Sequence, residues 1–463
     1  MIRRRLAGGA ALCYAGIDMT RWRGRILAAA ALAAVLLGGC AGVDAAGSSR
    51  LPAPSREVLP NGLRLIIQEH YASKTVALQL WVGVGGRDEA PSERGFSHFA
   101  EHMLFKGTET LGPGFVDREV EGVGGRTNAG TSLDYTYYYM LLPSPRAARG
   151  IEVLADMAFN SRFDPDELGR EREVVFEEVR LGEDNPRSFI GRRLYENAFA
   201  GYPYGFPVLG DPAALRAATR ESLHDYYKRH YVPENMTLVV AGPVDRGAIR
   251  AAVIGAFGGA RPAGYMRKPL PGPPPPLAAR KVTLERAEKQ AYLGIAWEAP
   301  ALGDGDMYAV ELLAHILGGS RTSRLNQALR ERGRLVSTIA AGYGVLQGGG
   351  IVSIIAQLEP KDVEAAETAA MVEVRRIRDE GVSSAEVERA FTAFEAERVF
   401  GRETVEGLAV AYGRAETIWS LADDREYLDR LRSVSPAQVQ AAARRYLTDA
   451  YVRLALMPKG SAR

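Results

Sequence analysis

Three residues within one five-residue stretch have the types and the spacing of a metal site. The stretch reads His98-Phe99-Ala100-Glu101-His102, and in a helix the positions i, i+3 and i+4 lie on one face. Two imidazoles one turn apart can bind one zinc ion, and the carboxylate beside them can take a proton from a metal-activated water and pass it to a leaving amine. This order is the inverted HxxEH motif of zinc peptidases. An amphipathic helix without a metal fits the same five residues.

A third protein ligand should lie on another element, because catalytic zinc commonly takes three. The only cysteines, Cys13 and Cys40, both precede the globular part of the sequence, so the ligands must be histidines and carboxylates. A helical segment after an Asp-Pro-Asp turn carries Glu171 and Glu178, seven residues apart and therefore on one face. This segment offers the additional carboxylate.

The composition excludes several other classes of function. The chain has 463 residues, of which 46% are hydrophobic and 25% charged, which is typical of a globular protein of two or three domains. Its 58 basic and 56 acidic residues are intermixed and give a net charge of +2, so no nucleic acid is expected as a partner. The six histidines form no His-rich tract, which argues against a zinc-buffering protein.

The N-terminus predicts export. A basic run begins at Met19 and is followed by an apolar stretch over residues 26–37, which is too short to cross a bilayer and is typical of a secretion signal. We therefore assign residues 1–39 to a signal peptide and expect that the true start is Met19.

The end of this signal predicts a lipid anchor. Leu37-Gly38-Gly39-Cys40 resembles the bacterial lipobox, in which the cysteine thiol receives a diacylglycerol; an ordinary cleaved signal is the alternative. Ala41 after the lipidated Cys40 implies sorting to the outer membrane, facing the periplasm. Residues 40–54, rich in Ala, Gly and Ser, would then form a flexible tether.

The globular part divides at a proline-rich segment. Residues 268–280 contain a Pro-Gly-Pro-Pro-Pro-Pro run that can join neither a helix nor a sheet. We place a domain over residues 55–267 and another over residues 281–463. Each begins with a β-rich strand and an amphipathic helix, and each closes with a helix and a strand, so we predict an α+β fold of two homologous domains, each a mostly antiparallel sheet packed with helices.

The second copy lacks the chemistry of the first. Aligning the first helices of the two repeats places His98 opposite Glu311 and His102 opposite His315. We therefore interpret the second copy as a degenerate repeat that serves substrate binding and assembly, with His315 as a packing residue.

Three longer motifs carry a resemblance to a known family. Residues 95–108, 128–136 and 231–242 resemble the zinc helix, the substrate-binding edge strand and the domain-closing strand of the insulinase/pitrilysin family of zinc metallopeptidases. The resemblance runs from about Leu59 to about Pro458. It is closest to the short two-domain branch that includes the mitochondrial processing peptidase and bacterial relatives.

The resemblance implies a role for each candidate residue. His98, His102 and Glu178 would bind one zinc ion per chain, and Glu101 would be the general base. Glu171 would assist catalysis by orienting a ligating imidazole. In the edge strand, Asn128 and Ala129 would bind an extended peptide substrate through backbone hydrogen bonds.

The second domain departs from the family pattern. The family places an Arg and, seven residues later, a Tyr that bind substrate and stabilise the tetrahedral intermediate. Arg330 matches and is assigned to substrate binding, but Ser337 stands where the Tyr is expected. Relatives of this length supply half of a closed chamber, so we expect a dimer: either a heterodimer with a zinc-less homologue that carries the Arg/Tyr pair, or a homodimer without the Tyr.

The motifs together favour one function over another. We predict a zinc-dependent endopeptidase that hydrolyses unfolded peptides or small proteins by a metal-activated water. The alternative is a non-catalytic or weakly active scaffold subunit of a two-chain peptidase complex.

Overall fold

The computed structural model describes residues 53–460. The predicted signal peptide, the start at Met19 and the lipid attachment at Cys40 lie outside these residues, as does most of the predicted tether. Within residues 53–460, no helix is both long enough and apolar enough to span a bilayer.

The first half of the described chain builds a six-stranded sheet in the order β1-β2-β6-β3-β5-β4. Only β2 and β6 pair in parallel; the other neighbours are antiparallel. The central strands are almost wholly apolar and buried, which suits a sheet covered on both faces. The strands are β1 (Ser55–Val58), β2 (Arg64–Glu69), β3 (Thr75–Val82), β4 (Arg126–Thr131), β5 (Thr136–Pro143) and β6 (Met236–Gly242).

Eight helices accompany this sheet, and two of them, α1 and α4, carry the predicted zinc residues. They are α1 (Phe96–Met103), α2 (Phe115–Glu119), α3 (Ala147–Asn160), α4 (Pro165–Asp184), α5 (Pro186–Ala198), α6 (Pro212–Ala217), α7 (Arg220–His230) and α8 (Arg246–Phe257). Residues 268–279 then contain neither a helix nor a strand.

The second half builds a five-stranded sheet in the order β7-β11-β8-β10-β9. Its strands are β7 (Arg280–Arg286), β8 (Ala291–Ala299), β9 (Thr338–Leu346), β10 (Gly349–Leu358) and β11 (Val452–Pro458). Its helices are α9 (Met307–Ala314), α10 (Val363–Glu380), α11 (Ser384–Phe400), α12 (Val405–Ile418), α13 (Leu421–Arg432) and α14 (Pro436–Tyr446). Two π-helical segments, His315–Gly319 and Asn326–Arg332, follow α9.

The two sheets repeat one topology. Strands β2-β6-β3-β5-β4 of the first correspond in order to β7-β11-β8-β10-β9 of the second, and each set has one parallel pair at the same place. The prediction of an α+β fold with two homologous, mostly antiparallel domains is confirmed. The duplicated first helices correspond to α1 and α9.

Each sheet is covered on its outer face by a helix from the other half of the chain. Helix α12 packs on the first sheet, where Trp81 and Val239 lie against Leu408 and Tyr412. Helix α5 packs on the second sheet, where Ile190 contributes to a common buried cluster. The inner faces are covered by helices of their own half. The two domains therefore complete one another.

Candidate metal centre

The start of α1 is fixed by a buried carboxylate. Glu89 accepts hydrogen bonds from the backbone N–H groups of Gly95 and Ser97, both at 2.8 Å, and so satisfies two of the free donors at the helix N-terminus. Gly95 has φ 98° and packs against Gly210, where a Cβ atom would lie 2.8 Å from the Cα of that residue. Only glycine fits both conditions. The hydrogen bonds to Glu89 and the close packing on Gly210 therefore fix the position of the N-terminal end of α1.

One side of α1 packs in the core and the other carries the predicted chemistry. Phe99 and Met103 are fully buried, which holds the helix against the first sheet. His98, Glu101 and His102 project from the opposite side, as the spacing predicts.

Helix α4 brings two carboxylates to this side of α1. Its first turn is capped by Asp164, whose side chain accepts hydrogen bonds from two backbone N–H groups, and Pro165 occupies the first helical position. Glu171 is buried and Glu178 half-buried, both toward α1. Glu177 is exposed and pairs with Arg180.

Three donor atoms converge between α1 and α4. The Nε2 atoms of His98 and His102 lie 3.2 Å apart. Oε2 of Glu178 lies 3.4 Å from the first of these nitrogens and 3.5 Å from the second. Among the described residues, these three side chains form the one group of His, Cys, Asp or Glu that could hold a metal ion.

The spacing of these atoms fits zinc. Zinc bonds of about 2.0–2.1 Å at tetrahedral angles place neighbouring donor atoms about 3.3–3.4 Å apart. The three observed separations, 3.2, 3.4 and 3.5 Å, match that value. Two imidazoles and one carboxylate also form a ligand set that zinc accepts in catalytic sites, with a fourth position left for water or substrate.

A second carboxylate orients one of the histidines. Oε1 of Glu171 lies 2.8 Å from Nδ1 of His102, so that Nδ1–H donates to it and Nε2 is left to face the other donors. The other oxygen of Glu171 lies 2.6 Å from Nζ of Lys106. The carboxylate is thus held at both oxygens.

The surroundings stabilise a positive charge between the helices. Burial lowers the pKa of His98 to about 3, which makes its imidazole a neutral donor. Burial also acts to lower the pKa of His102, but the hydrogen bonds to Glu171 and Glu178 outweigh it and raise the pKa to about 10. A cation held at this point would have the same carboxylates as partners.

The predicted base, Glu101, lies half-buried on the same helix as the two histidines. Glu101 accepts a hydrogen bond of 2.5 Å from Oγ1 of Thr131, at the end of β4. Burial raises the pKa of Glu101 to about 6, against the opposing effects of this hydrogen bond and of His102. A carboxylate with such a pKa can both accept and return a proton near neutral pH.

The predicted substrate strand lies at the edge of the first sheet. Within residues 53–460, strand β4 pairs only with β5, and Asn128 and Ala129 stand opposite Tyr139 and Tyr138. The backbone N–H of Ala129 donates to Oδ1 of Asn128 at 2.9 Å. This N–H therefore belongs to the open side of the edge, where an extended peptide could replace the Asn128 side chain as its partner.

Arg330 does not join the groups around the metal site. It lies half-buried in the second π-helical segment, and its side chain makes no hydrogen bond or ion pair with another described residue. Ser337 is exposed and donates its hydroxyl to the backbone oxygen of Gln357 at 2.8 Å. The substrate role of Arg330 remains a prediction.

Sequence reasoning missed Thr131, Lys106 and Glu89. Lys106 lies four residues after His102, just past the end of α1, and a basic side chain so near the motif could have indicated a partner for a carboxylate such as Glu171. Thr131 and Glu89 act from loops and strand ends whose approach to α1 is set by tertiary structure.

Two family models match consecutive parts of the chain. The model described as insulinase (peptidase family M16) matches residues 64–212, and the model described as peptidase M16 inactive domain matches residues 217–394. The chain belongs to the insulinase family, peptidase family M16, and the predicted resemblance is confirmed.

Curated relatives match along nearly their whole length. A Bacillus subtilis protein named uncharacterized zinc protease YmxG is 28% identical over 88% of this chain and 98% of its own length. An uncharacterized zinc protease of Mycobacterium tuberculosis is 29% identical over 89% of this chain and 94% of its own length. The names of these relatives connect the family match with zinc.

Solved structures share the fold. A protease from Helicobacter pylori superposes with a TM-score of 0.84 at 22% identity, over 88% of this chain and all of that chain. A Pseudomonas fluorescens structure described as a peptidase M16 inactive domain superposes with a TM-score of 0.81 at 19% identity, over 88% of this chain and 98% of that chain. At these identities the likeness concerns the fold.

Proposed function

We propose that this protein is a zinc-dependent endopeptidase that hydrolyses unfolded peptides or small proteins. The observation that carries the proposal is the convergence of His98, His102 and Glu178 at the separations of a tetrahedral zinc site, with the half-buried Glu101 on the same helix as the two histidines. Membership of family M16 and the zinc-protease names of the relatives support the same reaction class.

Each side chain has a distinct task in this proposal. His98, His102 and Glu178 hold the zinc ion, which when bound supplies Lewis-acid polarisation of water and of the peptide carbonyl. Glu101 takes a proton from the attacking water and returns it to the leaving amine nitrogen. Thr131 holds the Glu101 carboxylate in place, and Glu171 keeps the His102 ring in the ligating tautomer.

Substrate selection follows from the edge strand. The peptide adds to β4 as a further strand and pairs with backbone groups around Asn128 and Ala129, so that recognition depends on an extended backbone more than on side chains. A folded protein does not offer such a strand, which restricts the substrates to unfolded segments.

Ser337 favours a second candidate, in which this chain is a weakly active scaffold subunit of a two-chain peptidase complex. Because a serine hydroxyl is shorter than a tyrosine hydroxyl by a ring, this chain would depend on a partner for full stabilisation of the tetrahedral intermediate. We propose a dimer. The partner that would supply the missing tyrosine is a zinc-less homologue carrying the Arg/Tyr pair, and Arg330 is the chain's own substrate contact.

We further propose that the protein is anchored through a lipid on Cys40 to the outer membrane, facing the periplasm.

The catalytic proposal is tested with Glu101→Gln. The variant should bind zinc with the wild-type stoichiometry of one ion per chain and lose peptide hydrolysis by about 100-fold or more, because the amide cannot accept the proton. Hydrolysis of an unstructured fluorogenic peptide, measured beside zinc content, provides both readouts. Wild-type turnover by Glu101→Gln would exclude the proposed mechanism.

A further inference from the structure

A buried aspartate joins the two halves of the chain close to the metal centre. Asp134 lies in the turn between β4 and β5 and is 1% exposed. This turn begins directly after Thr131, the residue that holds Glu101. No task has yet been given to Asp134 in the proposed reaction, although burial of a carboxylate is costly unless it is well paired.

The first half of the chain supplies two partners to this carboxylate. The hydroxyl of Tyr204 donates to Oδ1 of Asp134 at 2.8 Å, and Nη1 of Arg87 lies 3.3 Å from the same oxygen. The loop that carries Arg87 also holds the turn through backbone bonds, since the N–H of Gly86 donates to Ser132 O at 3.1 Å.

The second half supplies the remaining partners through the tip of one hairpin. Gln347 and Gly348 form the two-residue turn between β9 and β10. The N–H of Gln347 donates to Oδ2 of Asp134 at 3.0 Å, and the N–H of Gly348 donates to the hydroxyl of Tyr204 at 3.0 Å. The hydroxyl of Tyr204 therefore bridges the two halves, because it accepts from one and donates to the other.

An arginine before the proline-rich segment closes the network. Arg267 donates to the backbone oxygen of Asp134 at 2.7 Å, to both carboxylate oxygens of Asp88 at 3.0 and 2.6 Å, and to Oε1 of Gln347 at 3.0 Å. The turn after Thr131 is thus held both through the side chain and through the backbone oxygen of Asp134. Because both oxygens of the buried Asp134 carboxylate are paired, the network should hold this turn in one arrangement.

We propose that Asp134 and Tyr204 are positioning residues through which the β9–β10 hairpin of the second domain fixes Thr131 and thereby Glu101. The proposal rests on the proposed function, since Glu101 must be the base for its position to matter. It assigns the second domain a part in catalysis within the same chain, separate from the Arg/Tyr pair. The geometry that carries it is the series of hydrogen bonds from Gly348 through Tyr204 to Asp134, together with the short backbone segment, residues 132 and 133, that joins Asp134 to the strand end at Thr131.

The test uses the mildest change in the network, Tyr204→Phe, in the full-length zinc-loaded chain. The variant should lower kcat by about three- to tenfold, with KM and zinc content unchanged, because a small displacement of a catalytic group costs rate without costing ligands. The matched control is Tyr202→Phe. Tyr202 is equally buried next to Tyr204, and its hydroxyl donates to Gly272 O at 2.8 Å without reaching Asp134.

A double-mutant cycle separates positioning from general destabilisation. Thr131→Val removes the hydroxyl that holds Glu101, and Thr131→Ser retains it. If Tyr204 acts through Thr131, adding Tyr204→Phe to Thr131→Val should change kcat by less than about 1.5-fold, whereas adding it to Thr131→Ser should keep its full effect. Equal effects in both backgrounds, or a kcat for Tyr204→Phe equal to that of Tyr202→Phe, would overturn the proposal.

A second measurement does not depend on turnover. Amide hydrogen exchange of the peptide covering residues 126–140 should be at least about tenfold faster in Tyr204→Phe than in wild type, and unchanged in Tyr202→Phe. Equal exchange in the two variants would refute the proposal even for a chain that needs a partner to cleave. If Glu101→Gln is inactive and Tyr204→Phe has a normal kcat, the positioning role is wrong and the proposed function stands. If Glu101→Gln is active, the proposed function itself is wrong.

Discussion

The two proposed histidine ligands are limited in their orientation in different ways. His102 is held by Glu171, and Glu171 in turn by Lys106. His98 is positioned by burial, because its Nδ1 atom is buried without a hydrogen-bond partner among the described residues. The two imidazoles should therefore respond differently to changes around them.

Glu171→Gln tests the orienting role of this carboxylate. The amide can still accept from Nδ1–H of His102, but it loses the charge and the ion pair with Lys106, so zinc affinity should fall by about 10-fold. Competition with a chelator of known affinity measures the change. Glu173→Gln, an exposed position on the same helix, should bind zinc like the wild type; equal affinities for the two variants would contradict the role.

The pH dependence of hydrolysis tests Glu101 as the base. Its pKa is raised to about 6, and the base must be ionised to accept a proton, so activity should be constant above this pH and fall below it. The expected slope is about tenfold in kcat per pH unit on the acid side. A rate profile recorded with zinc content verified at each pH checks the prediction, and a profile without an acid limb between about pH 5 and 7 would contradict it.

For individual residues, the sequence was informative where the chemistry depends on local spacing. His98, Glu101 and His102 could be placed on one helix face from the HxxEH order alone, and the seven-residue interval placed Glu171 and Glu178 together. The meeting of the two helices came from the family resemblance. Thr131 carries no local signal, because its contact with Glu101 depends on how β4 passes α1.

Among the elements, α12 lies very close against the first sheet. A Cβ atom on Gly413 would lie 2.0 Å from Nε1 of Trp81, whose ring is fully buried and stacks on Tyr137. Glycine is required here by space, since the helix could not otherwise lie on the strand at this distance.

Gly413→Ala should therefore destabilise the protein by about 1–3 kcal/mol, because the helix or the indole must shift. Gly255→Ala is the matched control, since this helical glycine in α8 has open space around its Cβ position. It should stabilise by about 0.5–1 kcal/mol through helix propensity. Thermal unfolding of the two variants beside wild type decides the matter; a melting temperature for Gly413→Ala at or above the wild-type value would show that the packing is not tight.

The sequence predicted the individual helices and strands better than it predicted which elements pack against one another. The β-rich strand and the amphipathic helix predicted early in the second domain correspond to β8 and to α9 with the π-helical segment after it. Nothing in the sequence periodicity of α5 or α12 indicated that each of these helices would cover the sheet of the other half. A helix with an apolar face must be buried, but its own sequence does not identify the sheet that buries it.

Over the whole molecule, this exchange of helices makes each half dependent on the other. Without residues 281–463, the outer face of the first sheet would expose Trp81, Ile66 and Val239, which are otherwise covered by α12. Exposed apolar area of this extent leads to association. The halves are homologous repeats, yet each leaves one apolar face of its sheet to be covered by a helix of the other.

Residues 55–267 expressed alone should therefore be aggregated or bind a hydrophobic dye, and coexpression with residues 281–463 should restore a soluble complex. Gel filtration and dye fluorescence provide the measurements. The result would contradict this prediction if the first half alone were monomeric, unfolded cooperatively and did not bind the dye, because α12 would then be dispensable for its folding.

The central claim is that side chains from α1 and α4 hold one zinc ion, and a matched pair of variants on α4 tests it most directly. Zinc titration of the full-length protein should find one ion per chain for wild type and for Glu177→Gln, whose carboxylate is exposed and pairs with Arg180. Glu178→Gln should bind zinc at least about 100-fold more weakly, because it loses a charged ligand 3.4–3.5 Å from both histidine nitrogens. Equal zinc affinity for Glu178→Gln and Glu177→Gln would contradict the proposed site.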